Sequence, residues 1–129
     1  MLKKTFALML LGVIISANQC NKNKTEALVK ELSEKVWMHS NEEDQIDVQV
    51  YRVKDSYDFP PSRGREGFQL LPEGKFIKMG PSPNDAPQRQ EGNWQVEGEQ
   101  IRVKMSSGES YALEVVERQE NFLKVKVIR

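Results

Sequence analysis

His39 is the single histidine of this chain, and three carboxylates follow it at short spacing: Glu42, Glu43 and Asp44. Oxygen ligands beside one imidazole can hold a hard or borderline cation, and a carboxylate can orient the imidazole as a general base. Both chemistries need the ring within hydrogen-bond reach of a carboxylate. The competing reading is a solvated loop whose acids repel one another and stay wet, with His39 hydrogen-bonded at a strand end.

A second segment carries the opposite charge. In Asp58-Phe59-Pro60-Pro61-Ser62-Arg63-Gly64-Arg65-Glu66-Gly67, two prolines stiffen the entry and glycines free the backbone around two guanidinium groups. Arg63 and Arg65 could form a fork for a carboxylate or phosphate, or they could pair with Glu42 to Asp44 and fix two loops together. Arg52, in Val50-Tyr51-Arg52, adds a third guanidinium to the candidate binding residues. Trp94, like Trp37, can stack a ligand inside a barrel or serve as core.

Elimination narrows the remaining chemistry. With one histidine and one cysteine, paired-His and multi-Cys zinc motifs are excluded, and no metal site is assigned. There is no Gly-x-Ser-x-Gly elbow, phosphate-binding glycine loop or dinucleotide fingerprint, so no cofactor is implied. A Cys/His nucleophile pair would have to use Cys20, which lies outside the expected folded domain. No residue is assigned a catalytic role, and binding is favoured over an enzyme. The formal net charge of +0 gives no bulk attraction to nucleic acid.

The elements that must position these residues are short. A chain of 129 residues allows one domain, expected over 25–129. Thr25 can cap a helix of about ten residues whose Leu28, Val29, Leu32 and Val36 share one face. Thereafter the period is two. Trp37-Met38-His39 opens the series, Ile46, Val48 and Val50 alternate with polar neighbours, and Phe68 to Leu70 and Phe76 to Met79 flank the turn Pro72-Glu73-Gly74. Strands at Trp94 to Val96, Ile101 to Met105, Tyr111 to Val115 and Leu123 to Val127 complete about eight, with a long loop expected from Gly80 to Glu91. Clean alternation marks antiparallel strands with one dry face. The expected fold is mainly β, an antiparallel up-and-down barrel of about eight strands with a short N-terminal helix, and a two-sheet sandwich is the alternative. An eight-stranded barrel is either filled by side chains or holds one small ligand.

The N-terminus reads as an export signal over 1–19. Lys3-Lys4 precede an uncharged run from Phe6 to Ile15, a length that suits a signal peptide and falls short of a membrane span. Cys20 directly after it resembles the acylated cysteine of bacterial lipoproteins, with 20–24 as a tether, although Gln19 and Ala17 depart from that family's pattern. Cleavage after Ala17 and an uncleaved anchor are the other two routes.

Two further resemblances concern the domain itself. Gly92-Asn93-Trp94, Val96, Gly98, Ile101, Val103, Gly108, Tyr111, Leu113, Val115 and Leu123 look like the C-terminal half of lipocalin-like domains in small exported bacterial proteins. Trp37 to Asp44, Val50-Tyr51-Arg52 and Phe59 to Phe68 resemble a group of uncharacterised bacterial proteins with His-Ser-x-Glu-Glu and Phe-Pro-Pro-x-Arg-Gly-Arg motifs. The resemblance implies a barrel in the cell envelope, attached to the membrane through a lipid on Cys20 or released to the periplasm or beyond. Its expected partner is a small ligand or an envelope protein, met at a lumen or a charged mouth formed by Arg63, Arg65 and Glu42. A small enzyme or metal-binding protein built on His39, and a purely structural envelope protein, are the alternatives.

Overall fold

The computed structural model describes residues 25–62, 64–81 and 87–129, with Pro87 described in its backbone alone. The expected leader, tether and Cys20, together with Arg63, lie outside the described residues. Residues 25–32 form a helix, α1. It is shorter than the apolar pattern suggested, because Glu34 takes a left-handed backbone (φ 69°) and Val36 already belongs to the first strand.

Among the described residues eight strands follow: β1 (Val36–His39), β2 (Gln49–Val53), β3 (Gly67–Leu71), β4 (Lys75–Pro81), β5 (Pro87–Glu97), β6 (Gln100–Met105), β7 (Ser110–Gln119) and β8 (Phe122–Ile128). They close into the expected antiparallel barrel, in the order β1-β2-β8-β7-β6-β5-β4-β3. Closure satisfies the strand edges that an open sheet would leave bare. Hairpins join the strands in sequence except once, since β1 lies between β2 and β3 and pairs with both. The connection from Lys54 to Glu66 therefore runs back along β1. Its first residue donates from Lys54 N to Val36 O, and its last accepts at Glu66 O from His39 N.

The period-two alternation sorts the side chains as expected. Trp37 faces Val53 and Phe68, Leu70 faces Phe76, Trp94 faces Val103, and Leu113 faces Val127 across the ladders, all on the inside. Trp37, Leu70, Phe76, Ile101, Leu123 and Val125 are almost completely buried. Each contributes on the order of 1.5–3 kcal/mol by leaving water. Leu28 and Leu32 of α1 join this cluster, and the Trp37 indole donates to Leu32 O at 3.0 Å. The helix thereby plugs one end of the barrel. Glu31 on α1 also reaches Arg118 on β7 at 3.2 Å.

Two further expectations are revised. The strand read from Ile46 begins only at Gln49, because Gln45 and Val48 pair across a tight turn in which Asp47 takes φ 62°. Ile46 sits at that turn, 92% exposed. The loop read from Gly80 to Glu91 is mostly ladder, since Pro81 pairs with Pro87 and Ile77 with Glu91. Pro81 and Pro87 stand at the last position of β4 and the first of β5, where a proline costs no interior ladder bond.

Candidate functional site

The end of the barrel opposite α1 gathers most of the residues singled out from sequence. His39 closes β1, and its Nε2 lies 2.9 and 3.1 Å from the two Asp44 carboxylate oxygens. A carboxylate only accepts, so that nitrogen carries the proton. The ring stacks on Tyr51 at 5.0 Å between centroids, and Asp44 Oδ1 also accepts from Val50 N at 2.9 Å. The condition set for imidazole chemistry, a carboxylate within reach, is thus met, although one ring face is covered.

The 3-10 turn Asn41–Glu43 projects two acids toward two arginines. Glu43 takes hydrogen bonds from Arg52 Nε at 2.6 Å and Nη2 at 2.8 Å, and from Ser40 Oγ at 2.7 Å. Arg52 also lies over the Tyr57 and Phe122 rings, at 4.2 and 4.8 Å. Glu42 is held by Arg65 Nη1 and Nη2 at 2.9 and 2.8 Å. The same guanidinium donates to His39 O, Asn41 Oδ1 and Pro60 O. Its side chain is only 8% exposed. Bidentate donation from Arg65 holds the Glu42 carboxyl down at about 2, and donation from Arg52 does the same for Glu43. Both arginines are in turn held more firmly protonated by these partners.

This rim is a self-satisfied lattice. It fastens the connection 54–66 to the turn after β1, and Gly64 (φ +66°) completes the fit, because a Cβ there would meet Pro81 Cβ at 2.5 Å. Of the candidates, His39, Glu42, Glu43, Arg52 and Arg65 come together here. Trp94 lies toward the α1 end, where its indole donates to Leu71 O at 2.9 Å. Among the described residues no group of three or more His, Cys, Asp or Glu side chains is arranged to hold a metal ion.

Inside the rim lies a cavity of about 80 Å3, lined by Tyr51, Phe68, Phe76, Tyr111, Glu66 and Lys78 among others. A second hollow of about 130 Å3 shares Glu66 and Lys78 with it and adds Gly80, Gln88 and Gln90. The charges facing this space are Lys78, Glu66 and Arg129, not the rim arginines. Arg129 is paired with Glu109 at 2.9 Å. No described residue forms a hydrogen bond or ion pair with the Lys78 ammonium or the Glu66 carboxylate. The Tyr51 hydroxyl donates to Gln49 Oε1 at 2.9 Å. Burial raises both phenols, Tyr51 strongly and Tyr111 to about 12, with Glu66 adding to each, so both remain protonated donors at neutral pH.

Sequence reasoning passed over Lys78, Glu66 and Tyr111. The signal was parity: Lys78 is two residues after Phe76, and Tyr111 two before Leu113, on the faces that point inward. A larger open hollow, about 570 Å3, lies over Gln95, Arg102 and Ala112. By register these face outward, and Arg102 is already paired with Glu97 at 2.5 Å. No protein-family model, curated protein or solved structure matches this chain, so the geometry of the mouth stands on its own.

Proposed function

We propose that this chain is a lipocalin-like binding module of the bacterial cell envelope that takes a small polar ligand at the open mouth of its barrel. In this reading residues 1–19 direct export, 20–24 are a tether, and a lipid on Cys20 holds the domain at a membrane. The observation that carries the binding role is the cavity of about 80 Å3. One end of the barrel is plugged by α1, while the other keeps a hollow where the polar heads of Lys78, Glu66 and Tyr111 have no hydrogen bond or ion pair to a described residue. A water takes up about 30 Å3 in the liquid, so the inner cavity holds a few waters or a ligand of a few heavy atoms. That is far below the ~300 Å3 where drug-sized ligands begin. A large lipophile does not fit this account.

The rim residues then act as scaffold, holding the mouth open in a fixed shape. The test is a nuclear magnetic resonance screen of the isotope-labelled domain against small polar solutes. The expected result is a set of concentration-dependent shifts confined to residues near 49–51, 66–68, 78 and 111. Shifts confined to α1 or to the outer faces of β5 to β7, or no shifts with any solute, contradict it.

The Asp44–His39 pair favours a second reading, an acid–base site on His39. It predicts a slow hydrolytic activity abolished by His39→Gln; an unaltered background rate in that variant eliminates it.

A further inference from the structure

Lys78 on β4 and Glu66, the last residue before β3, face the same space. Lys78 pairs directly with Phe68, and Glu66 stands two residues before Phe68 on the same face. Diagonal neighbours of this kind stand roughly 7–8 Å apart with their Cβ atoms somewhat closer, within reach of each other for long side chains. They nonetheless do not meet within 4.0 Å. Both groups border both hollows, so the two opposite charges stand at the seam between an aromatic inner cavity and a polar outer one. Behind them Tyr51 and Phe68 pack edge to face at 4.9 Å, and Phe68 stacks on Phe76 at 5.7 Å.

Glu66 is exposed and Lys78 half-buried, so a ligand bearing one charge would pair with one of these groups and leave the other to water. A simple anion would meet Lys78 but be repelled by Glu66, and a simple cation the reverse. A compact zwitterion meets both, because its carboxylate and ammonium are attached to one carbon and its short side chain needs only a few heavy atoms of apolar space. We propose that the mouth recognises a small zwitterion of the free amino-acid type, its carboxylate toward Lys78, its ammonium toward Glu66, and its side chain toward the inner aromatic wall. This deepens the binding role proposed above and rests on it. Specificity follows from using both charges: an analogue lacking either one forgoes a charge-assisted contact and brings its remaining charge beside a like charge.

Calorimetry and resonance shifts with L-alanine, propionate, ethylamine and propionamide test the class, using the wild-type domain and the variants Lys78→Gln and Glu66→Gln. Neither side chain forms a hydrogen bond or ion pair with a described residue, so both variants are expected to fold, which an unchanged amide spectrum away from the mouth verifies. The expected result is that L-alanine shifts the mouth resonances and that the three analogues bind at least about tenfold more weakly. Each variant should likewise lose about tenfold or more in L-alanine affinity, the scale of one charge-assisted hydrogen bond. If propionate, ethylamine or propionamide binds as tightly as L-alanine, or if the variants leave its affinity unchanged, the zwitterion assignment is overturned while binding at the mouth stands. If none of the four, and no solute of the broader screen, shifts the mouth resonances, both are overturned.

Discussion

Arg65 joins three separate segments of the chain at the mouth. It ties His39 O on β1, Asn41 and Glu42 on the following turn, and Pro60 O on the long connection. A lysine has no planar fork and cannot serve these acceptors together. Arg65→Lys is therefore expected to lower stability by about 1.5–3 kcal/mol, the range for hydrogen bonds to charged groups, read as a shift in urea midpoint at constant slope. Acid should act on the same lattice. Glu42 and Glu43 keep their charge down to about 2 in the fold, whereas their ordinary value is 4.5. As pH falls between these values the unfolded chain binds the extra protons, so stability is complete above about pH 4.5 and declines toward pH 2. Melting temperatures measured across pH 2–6 should show that decline, and the double variant Glu42→Gln, Glu43→Gln should flatten it. At this scale the sequence exposed the acids and arginines as one interacting set, because their charge and spacing are local features. It left open whether they face a ligand or each other, since that depends on the path of the connection 54–66.

That path belongs to the scale of elements. Strand identities could be read from apolar alternation because each inward side chain repeats every second residue, from Trp37 in β1 to Val125 in β8. The insertion of β1 between β2 and β3 could not, since it rests on which edges meet after closure and no local pattern encodes it. The start of β2 was misread for a different reason: Ile46 continues the alternation by residue type, yet Asp47 turns the backbone. Ile46→Ser should accordingly change stability by less than about 0.5 kcal/mol, as for surface positions generally. Gly92 offers the contrast. A Cβ there would lie 2.6 Å from Lys104 O and 2.9 Å from Met105 Cα, both backbone atoms of β6 that cannot swing away. Gly92→Ala is expected to cost about 1–3 kcal/mol through displacement of the β5–β6 ladder. Thermal denaturation of the two variants side by side distinguishes an exposed turn from a packed ladder.

For the whole molecule, the barrel divides its labour by depth. The α1 end is filled by Leu28, Leu32, Trp37 and their neighbours and supplies stability. The mouth holds a rigid charged rim outside and a small polar hollow inside. The choice between a filled barrel and a lumen was open in the sequence because it turns on volumes of a few tens of Å3, which side-chain type alone does not determine. The structure gives both outcomes at opposite ends. The account's central claim is that the rim is scaffold and the inner hollow is the site, so stability and binding should separate on mutation. The direct measurement pairs urea unfolding with ligand titration for Arg65→Lys and Lys78→Gln, using a solute that shifts the wild-type mouth. The account predicts that Arg65→Lys lowers stability and, where folded, keeps its affinity within about twofold, while Lys78→Gln keeps its stability and loses affinity about tenfold or more. Loss of affinity in Arg65→Lys with Lys78→Gln binding normally would contradict it and return the site to the rim.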